Sequence, residues 1–314
     1  MNPPHHFPFE LRSRETLKAG VRRLGDALAD HLSLRASSAP ENLQSAVHET
    51  RLALKRLRAT VRLLSGTLGD KAARRHQTRL RDVARRLAPV RDVAVGAATL
   101  DGLEKELPKA MAPALRSWRQ RLAGPREVPQ PTPKRIPNDL KAAARAIRVV
   151  TTAIDRSHWR RHGWETLESG LIETYRRARR RFRAAHTTDD ETSFHRWRTA
   201  VKAFMYQLGL LRPIAPKRLG RCIKELNGLQ RILGDEHDLA VLDEMLGKSG
   251  QGDKDKKGLD AKPIRRLIAS RQQRLRKNAL KSGRRLFTER PKRFVARLHK
   301  EWSAWHRPTR GKKS

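Results

Sequence analysis

Cysteine is almost missing from this chain. Cys222 is the only one in 314 residues, so no internal disulfide can form, and the expected setting is a reducing cytoplasm. Long apolar runs are missing too: no stretch approaches the roughly 18 residues that a membrane span needs. The first residues, MNPPHHFPFELRSRE, lack the basic start and apolar run of a signal peptide. Aromatic residues make up 5%, too few for a base-stacking platform, which weighs against a single-stranded nucleic-acid binder. Acidic residues are scarce, 32 against 71 Lys and Arg, for a net charge of +39 and a pI near 11.6. Such a surplus favours polyanions such as nucleic acid, polyphosphate or an anionic membrane surface, and says nothing of the fold. Hydrophobic residues, at 37%, are numerous enough for a core, and their periodicity argues against disorder.

The signatures of catalysis are also lacking. His48-Glu49 begins a zincin-like motif, but Leu52 stands where the second histidine belongs. Gly247-Lys248-Ser249 hints at a P-loop, but Leu242 replaces the first glycine and no strand precedes it. Cys222 has no histidine partner in sequence. Asp235, Glu236, His237 and Asp238 are read as the cap and first turn of a helix rather than as metal ligands. No paired carboxylates, nucleophile or metal set can be placed, so the chain is expected to be no enzyme and to need no cofactor.

What is present is helical periodicity. The spacing predicts helices from Phe9 to about Leu34, from Glu41 to Gly69, from a capping Asp70 to Leu87, and on past Pro89 to about Leu107. A shorter pattern holds Leu115, Trp118 and Leu122. The proline-dense stretch at about 124–137 reads as a connection. Beyond it, helices are predicted from a cap at Asn138 or Asp139 through Ile154, from about Trp164 to His186, from about Pro263 to Phe287, and from about Pro291 to Trp305. Thr187–Ser193 is a polar turn, GKSGQGDKDKKG at 247–258 a flexible loop, and 306–314 a basic tail. No stretch alternates as a strand would, so the class is all-α.

The chain is organised around the helix predicted at 41–69. Its apolar stripe is Leu43, Val47, Leu54, Leu57, Val61, Leu64 and Leu68, interrupted only by Thr50. Beside it runs a second stripe of His48, Arg51, Lys55, Arg58 and Arg62, confined to an arc of about 80°. Arg56 falls outside that arc. Solvated helix faces usually mix signs, because like charges one turn apart repel. A strip of cations without an acid is unfavourable unless an anion lies along it. Arginine's planar fork suits phosphate oxygens, lysine adds a mobile charge, and an imidazole, neutral or charged, can donate to an anionic oxygen.

The pattern recurs. His195, Arg198 and Lys202 match His48, Arg51 and Lys55 beside an apolar stripe of Phe194, Trp197, Val201, Phe204, Leu208 and Leu211. Met205 stands opposite Arg58 and weakens the second stripe. Lys217, Arg221 and Arg231 match Lys71, Arg75 and Arg85, while Lys224 matches Thr78. His237-Asp238-Leu239-Ala240-Val241 matches Arg91-Asp92-Val93-Ala94-Val95. Duplication of a helical bundle accounts for this economically.

Two H-x-x-R-x-x-x-K helices, each followed by a basic helix and an [RH]-D-[VL]-A-V segment, resemble the CHAD family, the conserved histidine α-helical domain. The resemblance covers residues 9–305. It implies a single domain of two four-helix bundles related by a pseudo-twofold axis, here repeats at about 9–123 and 138–305, with a basic central groove. It implies binding of inorganic polyphosphate, association with polyphosphate granules, and no catalysis. Carried over, it implicates His48, Arg51, Lys55, Arg58, His195, Arg198, Lys202, Lys224 and Arg231. The first stripe adds Arg62, and the matched second helices add Arg75, Arg85 and Arg221, as candidate contacts. Met205 departs from the family's usual arginine. The triphosphate-tunnel domain often fused to this family needs an E-x-E-x-K strand that this chain lacks, so no triphosphatase activity is expected. Nucleic acid is the alternative partner for the same basic surface.

Overall fold

Every regular element among the described residues is helical, as the three-four spacing predicts. The structure is a computed structural model that describes residues 9–37, 43–87, 99–104, 112–123, 135–159, 162–251 and 261–307. In chain order the helices are α1 (Leu17–Ser37), α2 (Leu43–Leu63), the one-turn α3 (Ser65–Leu68), α4 (Asp70–Arg86), α5 (Ala112–Ala123), α6 (Arg135–Arg156), α7 (Glu165–Thr188), α8 (Glu191–Leu210), α9 (Pro216–Gln251), α10 (Lys262–Leu286) and α11 (Pro291–Trp305). A 3-10 turn, Arg212–Ile214, joins α8 to α9. None of these helices is long and apolar enough to cross a membrane.

α2 is the hub. It packs against α1, α4, α6, α7 and α8, which its single apolar stripe could not do alone. Val47, Leu54, Leu57 and Val61 are buried as the periodicity predicts, and small residues between them (Ala46, Ala53, Ala59, Thr60) bury the flanks. Thr50, the one interruption, is buried too. The two motif helices, α2 and α8, lie against each other. The buried Gln207 of α8 fastens them: its side-chain amide donates to Ala59 O and to Thr174 Oγ1 of α7, both at 3.1 Å. An unmade bond at such a site costs about 1–3 kcal/mol, so the contact specifies how the three helices meet.

Packing groups the helices differently from their order in the chain. α6, which follows the proline-rich stretch, packs on α1, α2 and α4, whereas α8, α9 and α10 form a second group with α7. A separate small core joins Leu100, Leu103 and Trp118 to Leu239, Leu242, Leu246, Ile264 and Ile268.

Several predicted boundaries move. The first helix begins at Leu17, not Phe9; Phe9 and Leu11 are buried but not helical. The helix predicted to reach Gly69 breaks after Leu63, because Ser65 Oγ takes the carbonyl of Arg62 at 2.9 Å and the Ser65-Gly66 pair lets the chain turn. There α7 presses so close that a Cβ on Gly170 would sit 1.9 Å from Leu63 O. Asp70 is not a cap: Gly69, at φ 78°, holds the cap position and Asp70 is the first helical residue. α6 starts at Arg135, before the expected caps. Pro137 is tolerated in its first turn, and Asp139 is buried inside the helix, 3.7 Å from Arg135. Thr187 and Thr188 extend α7; the turn shrinks to Asp189, at φ 47°, and Asp190 caps α8 by accepting from Ser193 N at 2.8 Å. Asp235–Asp238 do not begin a helix, since α9 runs through them, and its last residues reach into the expected loop at 247–258. The Arg91–Val95 segment, Pro89, most of the proline-rich stretch, 252–258 and 308–314 lie outside the described residues.

Candidate polyanion-binding site

The cationic stripe of α2 emerges between α4 on one side and α7 on the other, because the apolar stripe beside it must face inward. His48 is exposed, whereas Arg51, Lys55, Arg58 and Arg62 are half-buried. Arg51 Nη1 donates to Leu87 O at 2.9 Å, holding its fork near the end of α4. Arg58 Nε donates to Gln77 Oε1 at 3.3 Å, and Gln77 Nε2 donates back to Arg58 O at 2.5 Å. That exchange turns the Gln77 face of α4 towards α2.

On the same face, one and two turns later, come Arg81 and Arg85. Burial holds the Arg58 guanidinium below the usual arginine range, and Arg81 and Arg85 push it further the same way. Arg62 is pushed down to about 10, first by burial and then by Arg177 of α7 and Arg58. So the charges that act on these two arginines are other arginines. The acids nearby sit on the rim: Asp82 beside Arg81 at 3.3 Å and Glu173 at 4.0 Å from Arg177, all half-buried or exposed. Like charges drawn together and partly stripped of water form a site that an anion would stabilise.

Arg75, a candidate from the repeat, lies on another flank of α4 beside the buried His76, whose pKa is lowered by burial first and then by Arg75 and Arg79. Arg81 and Arg177 were not foreseen. Their only signal was an arginine four residues before Arg85 and a run of arginines in α7. Arg56 is half-buried away from the stripe, with its guanidinium 5.9 Å from the ring centre of Phe9 and its charge acting on Tyr206.

The second stripe has a different setting. His195 Nδ1 lies 3.4 Å from His237 Nδ1, with ring centres 4.6 Å apart. One of the two nitrogens must donate and the other accept, so the pair excludes a proton on both. Burial lowers the His195 pKa, Arg198 and Lys202 lower it further, and Glu191 opposes them. Gln230 Nε2 of α9 donates to Arg198 O at 3.0 Å, as Gln77 does to Arg58 O. Arg198 and Arg231, however, also act on Asp235, whose pKa burial and Asp238 raise. Arg221 and Lys224 are exposed on α9. Glu236 is neither cap nor ligand: it is buried in an ion pair with Arg276 at 2.8 Å, and Arg276 covers Phe194 at 5.1 Å. Among the described residues no three His, Cys, Asp or Glu side chains are grouped to hold a metal.

Residues 13–247 match the family model of the CHAD domain. In fold, the chain is similar to the crystal structure of the CHAD domain from the plant Ricinus communis, with a TM-score of 0.51 and 18% identity over 97% of this chain and 99% of that one. A search of curated proteins found no match.

Proposed function

This chain belongs to the CHAD family, a family associated with polyphosphate binding, and on that premise we propose that it binds inorganic polyphosphate through both cationic stripes without acting chemically on it. The observation that carries this reading is the arginine cluster of Arg58, Arg62, Arg81 and Arg85, half-buried at its centre and acted on by like charge. A phosphate chain offers a repeated charge with no side of its own. A rail of guanidinium forks fits it better than a closed pocket does.

Contacts are assigned to His48, Arg51, Lys55, Arg58, Arg62 and Arg85 in the first half and to His195, Arg198, Lys202 and Arg231 in the second. Arg81 is added on geometry, and Arg75, Arg221 and Lys224 contribute through the general field. The ligand would lie in a basic groove along the α2 and α8 stripes, and the protein would gather at polyphosphate granules.

The test is a competition. Labelled long-chain polyphosphate is displaced by unlabelled polyphosphate, duplex DNA, RNA or heparin at matched salt. Polyphosphate displacing far better than the others supports the reading, and the log of affinity should then fall linearly with log salt. Equal displacement by duplex DNA favours the nucleic-acid alternative. Orthophosphate release above a blank, abolished by one substitution, overturns the non-catalytic part.

A further inference from the structure

We propose that the polyanion track leaves the motif helices and continues onto α7, where Arg180, Arg181 and Arg183 engage long polyphosphate chains but not short ones; this rests on the polyphosphate reading above. α7 crosses α2 in close contact. Gly170 lies against the Leu63 carbonyl, and Thr174 is tied through Gln207 to Ala59. The next turn brings Arg177, one of the two charges that act on Arg62, so the cations of α2 and α7 meet there.

Beyond that junction the character of α7 changes. Its acids, Glu165, Glu168 and Glu173, all fall in its first half, and from Tyr175 to Thr188 it has none. Leu167, Leu171, Thr174, Tyr175, Ala178 and Ala185 take the buried face. Arg176 pairs with Glu173 at 2.9 Å, and Arg179 donates to Phe287 O at 3.0 Å, so these two have structural partners. Arg180 and Arg183 are exposed, Arg181 is half-buried, and none of the three has an acidic partner among the described residues. A surface helix meant only for solubility intersperses opposite charges, because like charges at three and four residues repel. An arginine run without acids, starting beside Arg62, supplies the continued rail: Arg180 and Arg181 lie within about 60° of Arg177 around the helix, and Arg183 lies farther round on the exposed side.

Length then becomes the variable. The contacts of Gly170 with Leu63 and of Thr174 with Ala59 set α7 antiparallel to α2, so a phosphate chain that follows α2 to Arg62 must turn there to follow α7. Arg51 to Arg62 spans about 16 Å at 1.5 Å per residue, and Arg177 to Arg183 adds about 9 Å of path after the turn. A chain too short to pass Arg62 cannot feel the extension.

The experiment compares the Arg180→Gln, Arg181→Gln, Arg183→Gln triple variant with the unaltered protein. Glutamine keeps helix propensity, and circular dichroism with a thermal melt checks folding. Affinity is measured for a short oligophosphate and for long-chain polyphosphate. Arg145→Gln, an exposed cation on α6, controls for the general field. The expected result is a loss of tenfold or more for the long chain, a salt slope shallower by up to about three, and less than twofold change for the short chain. Arg145→Gln should change neither. An unchanged long-chain affinity overturns the extension, and so does an equal loss for both chains. An unaltered protein that binds neither chain overturns the polyphosphate reading itself, and the extension with it.

Discussion

From His48 to Leu87 the chain has twelve basic and three acidic side chains, a net +9; from His195 to Leu233 it has nine and one, a net +8. By count the two halves are equals, yet their cations are in different company. Arg58 and Arg62 face arginines. Arg198 and Arg231 face Asp235, with Asp238 beside it, and His195 is occupied with His237. Among the described residues, the acids that make this difference lie just past the matched helix of the second half; the corresponding stretch of the first half lies outside the described residues. Asp235-Glu236-His237-Asp238 stand where the first half has Pro89-Val90-Arg91-Asp92. The second half already neutralises part of itself, so a bound anion gains less there. Net charge sets the field at a distance, whereas the neighbours decide what each contact is worth.

The harshest way to break this comparison is to strip each half in turn. Arg58→Ala, Arg62→Ala and Arg85→Ala together should weaken long-chain polyphosphate binding by at least about a hundredfold, given roughly 1–3 kcal/mol for each specific contact. Arg198→Ala, Lys202→Ala and Arg231→Ala together should cost several times less. Titrations by fluorescence anisotropy at one salt concentration decide it, and equal losses would return the matter to bulk charge.

A finer cut uses two arginines of one helix. Arg58→Ala should cost about tenfold in affinity, while Arg56→Ala should stay within about threefold because only the general field changes. Arg56→Ala should instead lower the melting temperature, since it strips a cation from over Phe9, a contact worth about 0.5–1 kcal/mol. An Arg56→Ala variant that binds as poorly as Arg58→Ala, with an unaltered melt, would contradict the two-stripe geometry.

The comparison can also be sharpened by making the halves alike. Asp235→Asn with Asp238→Asn removes the acids acting near Arg198 and Arg231. Affinity should rise a few-fold, and the same pair of changes made on the triple-alanine variant of the second half should raise it by less. Isothermal titration reads both, and a fall in affinity would show that the acids support the site rather than oppose it.

The smallest effect is set by pH. The His195 pKa is depressed, so without ligand its contribution to stability is complete above the unfolded value near 6.5 and is lost as pH falls towards the folded value. A bound polyanion favours the protonated ring, so binding takes up a proton and tightens over that same fall. Lowering the pH from 8 to 5.5 should therefore tighten binding a few-fold more in the unaltered protein than in His195→Gln. The unliganded melt should move the other way. Parallel affinity profiles for the two proteins would remove His195 from the contact set.

Both stripes were legible because a helix of fixed period turns spacing into direction. His48, Arg51, Lys55 and Arg58 needed no partner to be placed on one face, and α11, from Pro291 to Trp305, could be read to its ends. What stayed hidden depends on a second element. The break at Leu63 lies under a glycine more than a hundred residues later, and Asp235–Asp238 stay helical although Glu236 is neutralised by Arg276, forty residues on. Arg81 and Arg177 became visible only once packing had settled which flank of α4 and of α7 turns towards α2. Arg75 shows the same dependence: matching it to Arg221 across the repeat does not say which side of its helix faces the partner, and the fold places it beside His76.

The bond from Gln207 to Ala59 and Thr174 bears on how a shapeless ligand is held. Ala59 directly follows Arg58, and Gln207 lies two residues past Met205, so the bond that joins the helices also fixes the gap between their two rows of charge. A polyphosphate chain has no preferred shape to offer. On the polyphosphate reading the protein would be the mould and the polymer the casting: much of the conformational freedom given up on binding would belong to the phosphate chain, since Arg51 and Arg58 are already held by Leu87 and Gln77.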